Sequence, residues 1–265
     1  MSLRERVKIG HKIISCLYHT DEVAPTYRYL FGQTFNKENL IKITINGEEI
    51  NINNLVDNNG APGGWRWQFP GVGDYFVKFY LKDDVSVLDY MFYDVDKLVS
   101  CQFYNFNKNE ITHMIGMFQD CSNLISVDFI DFNAYKIKNL TNIFNACPKL
   151  NKVNFGKNFR THSLIESANM FNNCKAISVI DMRYLDFSKC TFFNKMWANC
   201  SNLSKLYLNT TIDGVNSDIS TNLFLNSTKE GAILYYDFSK VGASLLGDFL
   251  PSNWIQEDFR TYEDL

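Results

Sequence analysis

The stretch that decides the fold is MFQDCSNLISVDF, residues 117–129, because a close copy, MWANCSNLSKLYL, occupies residues 196–208. In both copies a cysteine follows the methionine by four residues, and a leucine follows the cysteine by three. Two matched cysteines could form a metal site or a disulfide, or they could mark two copies of one structural repeat. The remainder of the chain distinguishes these interpretations.

A pair made of an aliphatic and an aromatic residue recurs six times, at intervals of 26 or 27 residues. Its copies are Met91-Phe92, Met117-Phe118, Ile143-Phe144, Met170-Phe171, Met196-Trp197 and Leu223-Phe224. The position four residues after the first member holds Val95, Cys121, Cys147, Cys174, Cys200 and Ser227. So many columns of one residue class indicate a tandem repeat, and such short units become stable by stacking into a solenoid.

Each copy changes its apolar period halfway along. Apolar residues from Ile111 to Cys121 recur at steps of three to four, which predicts one face of a helix of about ten residues. Val127 and Phe129 then alternate with polar residues, which predicts a short strand. In the sixth copy the corresponding strand positions are assigned to Ile233 and Tyr235.

The predicted fold class is α/β, a leucine-rich-repeat-like solenoid or horseshoe of five to six short helix–strand repeats. We assign residues 1–85 to a β-rich N-terminal cap, 86–236 to the solenoid and 237–265 to a small C-terminal cap. Within the N-terminal cap, HKIISCLYHT (11–20) and YFVKFYL (75–81) predict strands, and Asn46-Gly47 predicts a hairpin turn. Residues 53–74 are rich in Asn, Gly and Pro and predict a long surface loop. VGASLLGDFL (241–250) predicts a short helix, and NWIQEDF (253–259) is expected to close the C-terminal end.

The motif MF-x-x-C-x-x-L-x-x-[VIL]-x-[FLM], followed by F-[ND]-x-x-x-[IVL], resembles the BspA-like leucine-rich-repeat surface proteins over roughly residues 86–236. IKITINGEEI (41–50), GDYFVKFYLKDD (73–84) and PSNW (251–254) resemble segments that flank such repeats. The resemblance implies an α/β horseshoe, an extracellular or cell-surface location, and a role in attachment or ligand binding. It supplies no catalytic residues.

Composition excludes several other classes. The net charge of −3 gives no basic surface for nucleic acid, and no apolar run is long enough to insert in a membrane. Seven cysteines cannot all pair, and the four histidines lack metal-ligand spacing. We therefore expect no metal and no cofactor. Motifs of nucleophile elbows, phosphate loops and zinc hydrolases are absent, so we predict that the protein is not an enzyme.

The candidate ligand-binding residues are the outward positions of the predicted strands, because solenoids commonly bind ligands on a concave sheet face. They are Gln102, Tyr104, Asp128, Asn154, Asp181, Arg183 and Tyr207. A plain solvated face is the alternative.

Trp65 and Trp67 could stack on a sugar or anchor a protein partner. We favour the alternative that they cap the first repeat, because exposed tryptophan is unusual. The cysteine column is interpreted as core packing, with a disulfide or a metal site as alternatives.

Together with the extracellular location and attachment role that the resemblance implies, these observations predict a non-enzymatic extracellular binding or adhesion module that presents the concave face to a host protein, a glycan or a neighbouring cell. The alternative is a structural spacer or assembly element of a larger surface protein, with no ligand of its own.

Overall fold

The computed structural model describes residues 10–32, 34–57, 64–108, 110–129, 131–208, 222–227, 229–236 and 250–258. These ranges contain fourteen strands, two three-residue 3-10 helices (Lys37–Asn39 and Ile52–Asn54) and no α-helix. The predicted α/β horseshoe of helix–strand repeats is therefore wrong. The repeats form a β-solenoid, a coil whose successive turns stack on one another.

The strands alternate with turns along the whole described chain. They are β1 (Lys12–Thr20), β2 (Thr26–Gly32), β3 (Leu40–Ile45), β4 (Glu48–Ile50), β5 (Val56–Asp57), β6 (Gly64–Phe69), β7 (Gly73–Leu81), β8 (Leu98–Tyr104), β9 (Ser126–Asp128), β10 (Lys152–Asn154), β11 (Val179–Met182), β12 (Lys205–Leu208), β13 (Ile233–Tyr236) and β14 (Ile255–Asp258).

Three sheets result, in the orders β10-β9-β8-β1-β7-β3-β4, β11-β12-β13-β14 and β2-β6-β5. The repeat strands β8 to β10 are parallel, and so are β11 to β14. Strand β1 is antiparallel both to β7 and to β8. Strands from the first 85 residues thus share one sheet with the first three repeat strands.

Several predictions for the ends of the chain are confirmed. The segments 11–20 and 75–81 form β1 and β7, and β3 and β4 form a hairpin in which Asn46 and Gly47 have φ of 50° and 92°. Of the segment expected to close the C-terminal end, residues 255–258 form strand β14, which pairs with β13; the closure itself stays a prediction.

The long loop predicted at 53–74 is wrong for three segments, because β5, β6 and the first two residues of β7 lie within it. Residues 64–69 form β6, which pairs with both β2 and β5. The Asn, Gly and Pro residues on either side of this strand (58–63 and 70–73) hid its short alternation of polar and apolar residues. Residues 241–249 of the predicted C-terminal helix lie outside the described residues.

The segment predicted to be helical is a turn with two left-handed residues. The first directly precedes the aliphatic–aromatic pair. The second follows the first by four residues and directly precedes the position of the cysteine column. In order, the first positions are Tyr90, Gly116, Asn142, Asn169, Lys195 and Asn222, and the second are Asp94, Asp120, Ala146, Asn173, Asn199 and Asn226, with φ between 52° and 63°. Left-handed residues interrupt an α-helix, and Gly, Asn and Asp adopt this conformation most readily. The Asn or Asp before most of the cysteines was therefore the sequence signal against a helix.

Alternate backbone amides in this turn donate to the next coil, and the amides between them donate to a carbonyl three residues earlier in their own segment. The amide of Phe92 bonds to the carbonyl of Met117 at 2.8 Å, that of Phe118 to Ile143 at 2.9 Å, and that of Phe171 to Met196 at 2.8 Å. A further track of parallel bridges joins Val87, His113, Asn139, Glu166 and Phe192. Each coil is thus held to the next along its strands, its turn and this bridge track.

The interior is a column of stacked aromatic rings. Phe92, Phe118, Phe144 and Phe171 are fully buried, and their ring centroids follow one another at 5.4, 5.6 and 5.3 Å. Such offset or parallel stacks add to the free energy gained from burying the rings themselves. The rings thus stack through the first four coils, and the buried residues of all the described coils form one continuous core.

The cysteine column packs in this core, in agreement with its interpretation as packing residues, and all seven cysteines are free and buried. Each column thiol also donates to the carbonyl of the aromatic residue in the preceding coil. The distances are 2.9 Å from Cys121 to Phe92, 2.9 Å from Cys147 to Phe118, 3.0 Å from Cys174 to Phe144 and 3.0 Å from Cys200 to Phe171. In the sixth coil the Ser227 hydroxyl makes the same bond to Trp197 at 2.6 Å. The column therefore needs a small side chain that can donate.

Replacing Ala146 by Asn should stabilise the fold. Ala146 is left-handed with φ of 58°, whereas the equivalent position of every other described coil is Asn or Asp. Asn tolerates this conformation better than Ala, so Ala146→Asn should raise the free energy of unfolding by about 0.5–1 kcal/mol. Urea titration measures the change. Ala176→Asn is the control, because Ala176 is also half-buried but lies outside the left-handed region. An equal gain at both positions would contradict the strain argument.

Stability should fall in alkaline solution because the buried thiols must stay protonated in the folded state. Burial raises the pKa of Cys121, Cys147 and Cys174 well above the ordinary 9.0, and that of Cys200 to about 12. A folded pKa above the unfolded one gives stability that is complete below about pH 9 and declines as pH rises toward the folded value.

The Cys200→Ser variant isolates one thiol from this decline, because a serine fits the column at Ser227 and does not titrate there. Between about pH 9.5 and about pH 10.5, the unaltered chain should lose about 1 kcal/mol more unfolding free energy than the variant. Urea titrations at both pH values give the two losses. Identical losses would show that the Cys200 thiol does not contribute.

Candidate functional site

The structure places the predicted outward residues on neighbouring strands, in two groups. On the first sheet, Asp128 pairs in register with Gln102 on one side and Asn154 on the other. On the second sheet, Asp181 pairs with Tyr207. With no helical layer behind the strands, these residues lie on an outer side of a β-coil and not on the concave face of a horseshoe.

The first group is a small polar network. The Asn154 amide donates to the Asp128 carboxylate at 3.0 Å, and the Tyr104 hydroxyl donates to Gln102 Oε1. Partial burial raises the pKa of Asp128, and Lys152 and Asn154 oppose that rise. Gln102 and Asn154 are exposed, while Asp128 and Tyr104 are half-buried. This group offers mainly hydrogen-bonding atoms to solvent.

The second group is a connected charged and aromatic patch, which we name the Arg183–tyrosine cluster: Asp181, Arg183, Tyr207 and Tyr235. Arg183 Nε lies 3.0 Å from Asp181 Oδ1, and its Nη2 lies 2.7 Å from Oδ2, which is a bidentate pair. The guanidinium carbon lies 5.3 Å from the centre of the Tyr207 ring. The ring of Tyr235 stacks on Tyr207 at 4.5 Å and 8°.

The titration behaviour of the cluster follows from these contacts. The hydrogen bonds to Asp181 raise the pKa of Arg183 further above its ordinary value. Partial burial, and then the neighbouring Tyr235, raise the pKa of Tyr207. The cluster thus holds a fixed guanidinium beside a neutral phenol at physiological pH.

Tyr235 was assigned to an inward column, and that assignment is wrong. Strand β13 pairs with β12 so that Leu234 lies opposite Leu206 and Tyr235 opposite Tyr207. Leu206 follows Met196 by ten residues, whereas Leu234 follows Leu223 by eleven. The extra residue falls in the turn before β13, where Gly231 has φ of 69°. Repeat counting could not detect it, because Ile233 and Tyr235 are themselves apolar.

The two tryptophans lie on strand β6. Trp65 is opposite Phe31 and Trp67 is opposite Arg28 on β2. Both are half-buried against the core, and the ring of Trp65 is 6.2 Å from Phe31 and 4.3 Å from the Lys37 ammonium. The packing interpretation therefore describes them better than an exposed sugar platform.

Sequence reasoning missed a cleft of about 530 Å³ on the outer side of β1 and β8. Leu17, Val99 and Ile125 form its apolar part, and Lys97 and Lys149 are at its rim. Lys97 is bound to Asp21 at 2.9 Å. Because β1 lies outside the repeats, a search confined to repeat columns could not find this cleft.

Comparison with known proteins finds a family similar to the repeat region. A family model described as "Mycoplasma protein of unknown function, DUF285" matches residues 86–211. The repeat coils are similar to that family. The match begins at the first coil and covers just under half of the chain, and the family's description assigns no function. Searches of curated proteins and of solved structures found no match. No helix among the described residues is long and apolar enough to cross a bilayer.

Proposed function

We propose that the protein is a non-enzymatic, extracellular binding module that uses the Arg183–tyrosine cluster to hold a protein partner at a cell surface. The observation that carries this proposal is a connected patch on three adjacent strands, in which the half-buried Arg183 and Tyr207 are backed by the buried ring of Tyr235. Tyrosine and arginine are the residue types that, with tryptophan, dominate the energetics of protein interfaces.

The cluster is organised before any partner arrives. Arg183 is fixed by two bonds to Asp181, and Tyr207 lies between Arg183 on β11 and Tyr235 on β13. Side chains that are already immobile lose little conformational entropy on binding. The patch can therefore convert more of its contact energy into affinity.

A protein partner is favoured over a glycan by the orientation of the rings. Sugar recognition by aromatic residues uses a free ring face. Both faces of Tyr207 are covered, one by Tyr235 and the other by Arg183, so its edge and hydroxyl are the parts available to a ligand. Ring edges and phenol hydroxyls suit peptide groups and side chains.

The spacer alternative fits the first sheet better than the second. An evenly polar coat is expected of a spacer, and Gln102, Asp128 and Asn154 form such a coat. The second sheet interrupts it with the Arg183–tyrosine cluster. The cell-surface location is supported by the resemblance of the repeat motif to BspA-like surface proteins.

The Arg183→Ala, Tyr207→Ala double variant tests the proposal. The full chain is labelled and offered to a panel of purified serum and extracellular-matrix proteins and to a glycan array. We expect binding to at least one protein, and we expect the double variant to weaken it by about tenfold or more. Tyr135→Ala is the control, because Tyr135 is an exposed tyrosine (57 %) that lies outside the cluster, whereas Tyr207 is half-buried.

Circular dichroism and melting curves confirm that each variant is folded. Unchanged protein binding in a folded Tyr104→Ala, Arg183→Ala, Tyr207→Ala variant would overturn the proposal. Binding confined to glycans and lost in the double variant would reassign the cluster to sugar recognition. A loss equal to that of Tyr135→Ala would place the binding surface elsewhere.

A further inference from the structure

Two buried cysteines face each other where the N-terminal region meets the first repeat coil. Cys16 on β1 and Cys101 on β8 are directly opposite in the antiparallel register, and only 2 % and 1 % of their surfaces are exposed. Their sulfur atoms are 2.7 Å apart. Opposed residues of an antiparallel pair have Cα atoms about 4.5 or 5.5 Å apart, and both separations lie inside the range that a disulfide spans.

We propose that Cys16 and Cys101 are a disulfide site, at which a cross-strand bond joins the N-terminal strands to the repeat solenoid. The sequence predicted no such bond, because Cys16 lies outside the repeats and Cys101 occupies a strand position that is Val127 in the next coil. Only the pairing of β1 with β8 brings the two thiols together.

The other cysteines of the solenoid are occupied differently. Each thiol of the cysteine column points to a backbone carbonyl of the preceding coil, and Cys190 lies 3.2 Å from the hydroxyl of Ser167. In the structure, Cys16 and Cys101 are the pair whose sulfur atoms are recorded in contact with each other. An odd total of seven cysteines is compatible with one bond and five free thiols.

The oxidant belongs to the class of small-molecule or protein disulfides, such as oxidised glutathione. A thiolate of the pair attacks one sulfur of the oxidant and releases one thiol. The second cysteine then attacks the mixed disulfide and releases the other thiol. In total the Cys16–Cys101 bond forms, the oxidant's bond breaks, and the two electrons and two protons lost by the pair appear in two molecules of thiol.

Burial controls when this exchange can take place. It raises the pKa of Cys101 well above its ordinary value, so little of the attacking thiolate exists in the folded chain. The bond should therefore form while the chain folds and resist reductant afterwards. It would close a loop between residues 85 positions apart, and loops of this length restrict the unfolded chain strongly.

Refolding under a thiol–disulfide buffer tests the proposal on the unaltered full chain. The chain is refolded from urea with a mixture of reduced and oxidised glutathione, unfolded again, alkylated and digested with trypsin. We expect five alkylated cysteines per chain in place of seven, and a peptide in which residues 13–28 are joined to residues 98–108. This product should melt at a higher temperature than the chain refolded with reductant alone.

Two single variants supply the controls. Cys190→Ser keeps the opposed pair and should still give the linked peptide, whereas Cys16→Ser should not. Because the peptide map is made on the unaltered chain, it decides the question even if Cys16→Ser does not fold. Seven alkylated cysteines after refolding, or a link between any other two cysteines, would overturn the proposal.

Discussion

The hydrogen-bond register between successive coils is the constraint on which the rest of the structure depends. A coil can stack only if amides of its turn donate hydrogen bonds to carbonyls of the next coil. The amide of Phe92 bonds in this way to the carbonyl of Met117, and that of Phe118 to the carbonyl of Ile143. A repeat can therefore gain a residue only in a segment that lies between the strand, the turn and the bridge track, because these three are hydrogen-bonded to the next coil. The third coil adds one residue between β10 and the bridge at Glu166, and the first repeat sheet ends there.

Two left-handed residues in each turn make this register possible. They change the local direction of the peptide groups, so that alternate amides point along the solenoid axis, whereas in a helix all of them would point along the segment. The apolar residues still point inward at steps of three to four. Helix and turn thus bury the same side chains and differ in the direction of their backbone groups.

That difference decides how much of the fold could be predicted. The repeat, its inward columns and the strand positions follow from residue class, because burial selects apolar side chains whatever the backbone does. The helix prediction failed because periodicity reports side-chain direction only. The residues that report the backbone were Asp120, Asn173, Asn199 and Gly116, whose left-handed conformation separates a turn from a helix. The site, too, could be predicted only in part. The alternation of inward and outward residues along the strands identified Asp181, Arg183 and Tyr207. The outward position of Tyr235 depends on a one-residue shift that only strand pairing shows.

At the two ends of the solenoid, as in its middle, buried backbone groups have hydrogen-bond partners. The first coil has Val95 in the cysteine column, and what precedes this coil is strand β2, whose Gly32 amide bonds to the Met91 carbonyl at 2.7 Å. A Cβ at Gly32 would lie 2.3 Å from the carbonyl oxygen of Tyr90, so this approach requires glycine. The cysteine column thus holds a side chain that can donate, Cys or Ser, only where a preceding coil provides the backbone carbonyl of its aromatic residue as acceptor.

At the other end, Trp254 covers the last described coil. Its ring lies 5.1 Å from Phe224, and its Nε1 donates to the Ser227 carbonyl at 3.2 Å. One side chain thus continues the aromatic column and also satisfies a carbonyl whose equivalents in the preceding coils, such as that of Cys200, accept from the amide three residues later. A repeat in the middle of the stack is covered by a coil on each side. At the outermost described coils, Gly32 and Trp254 make contacts that a neighbouring coil would otherwise provide.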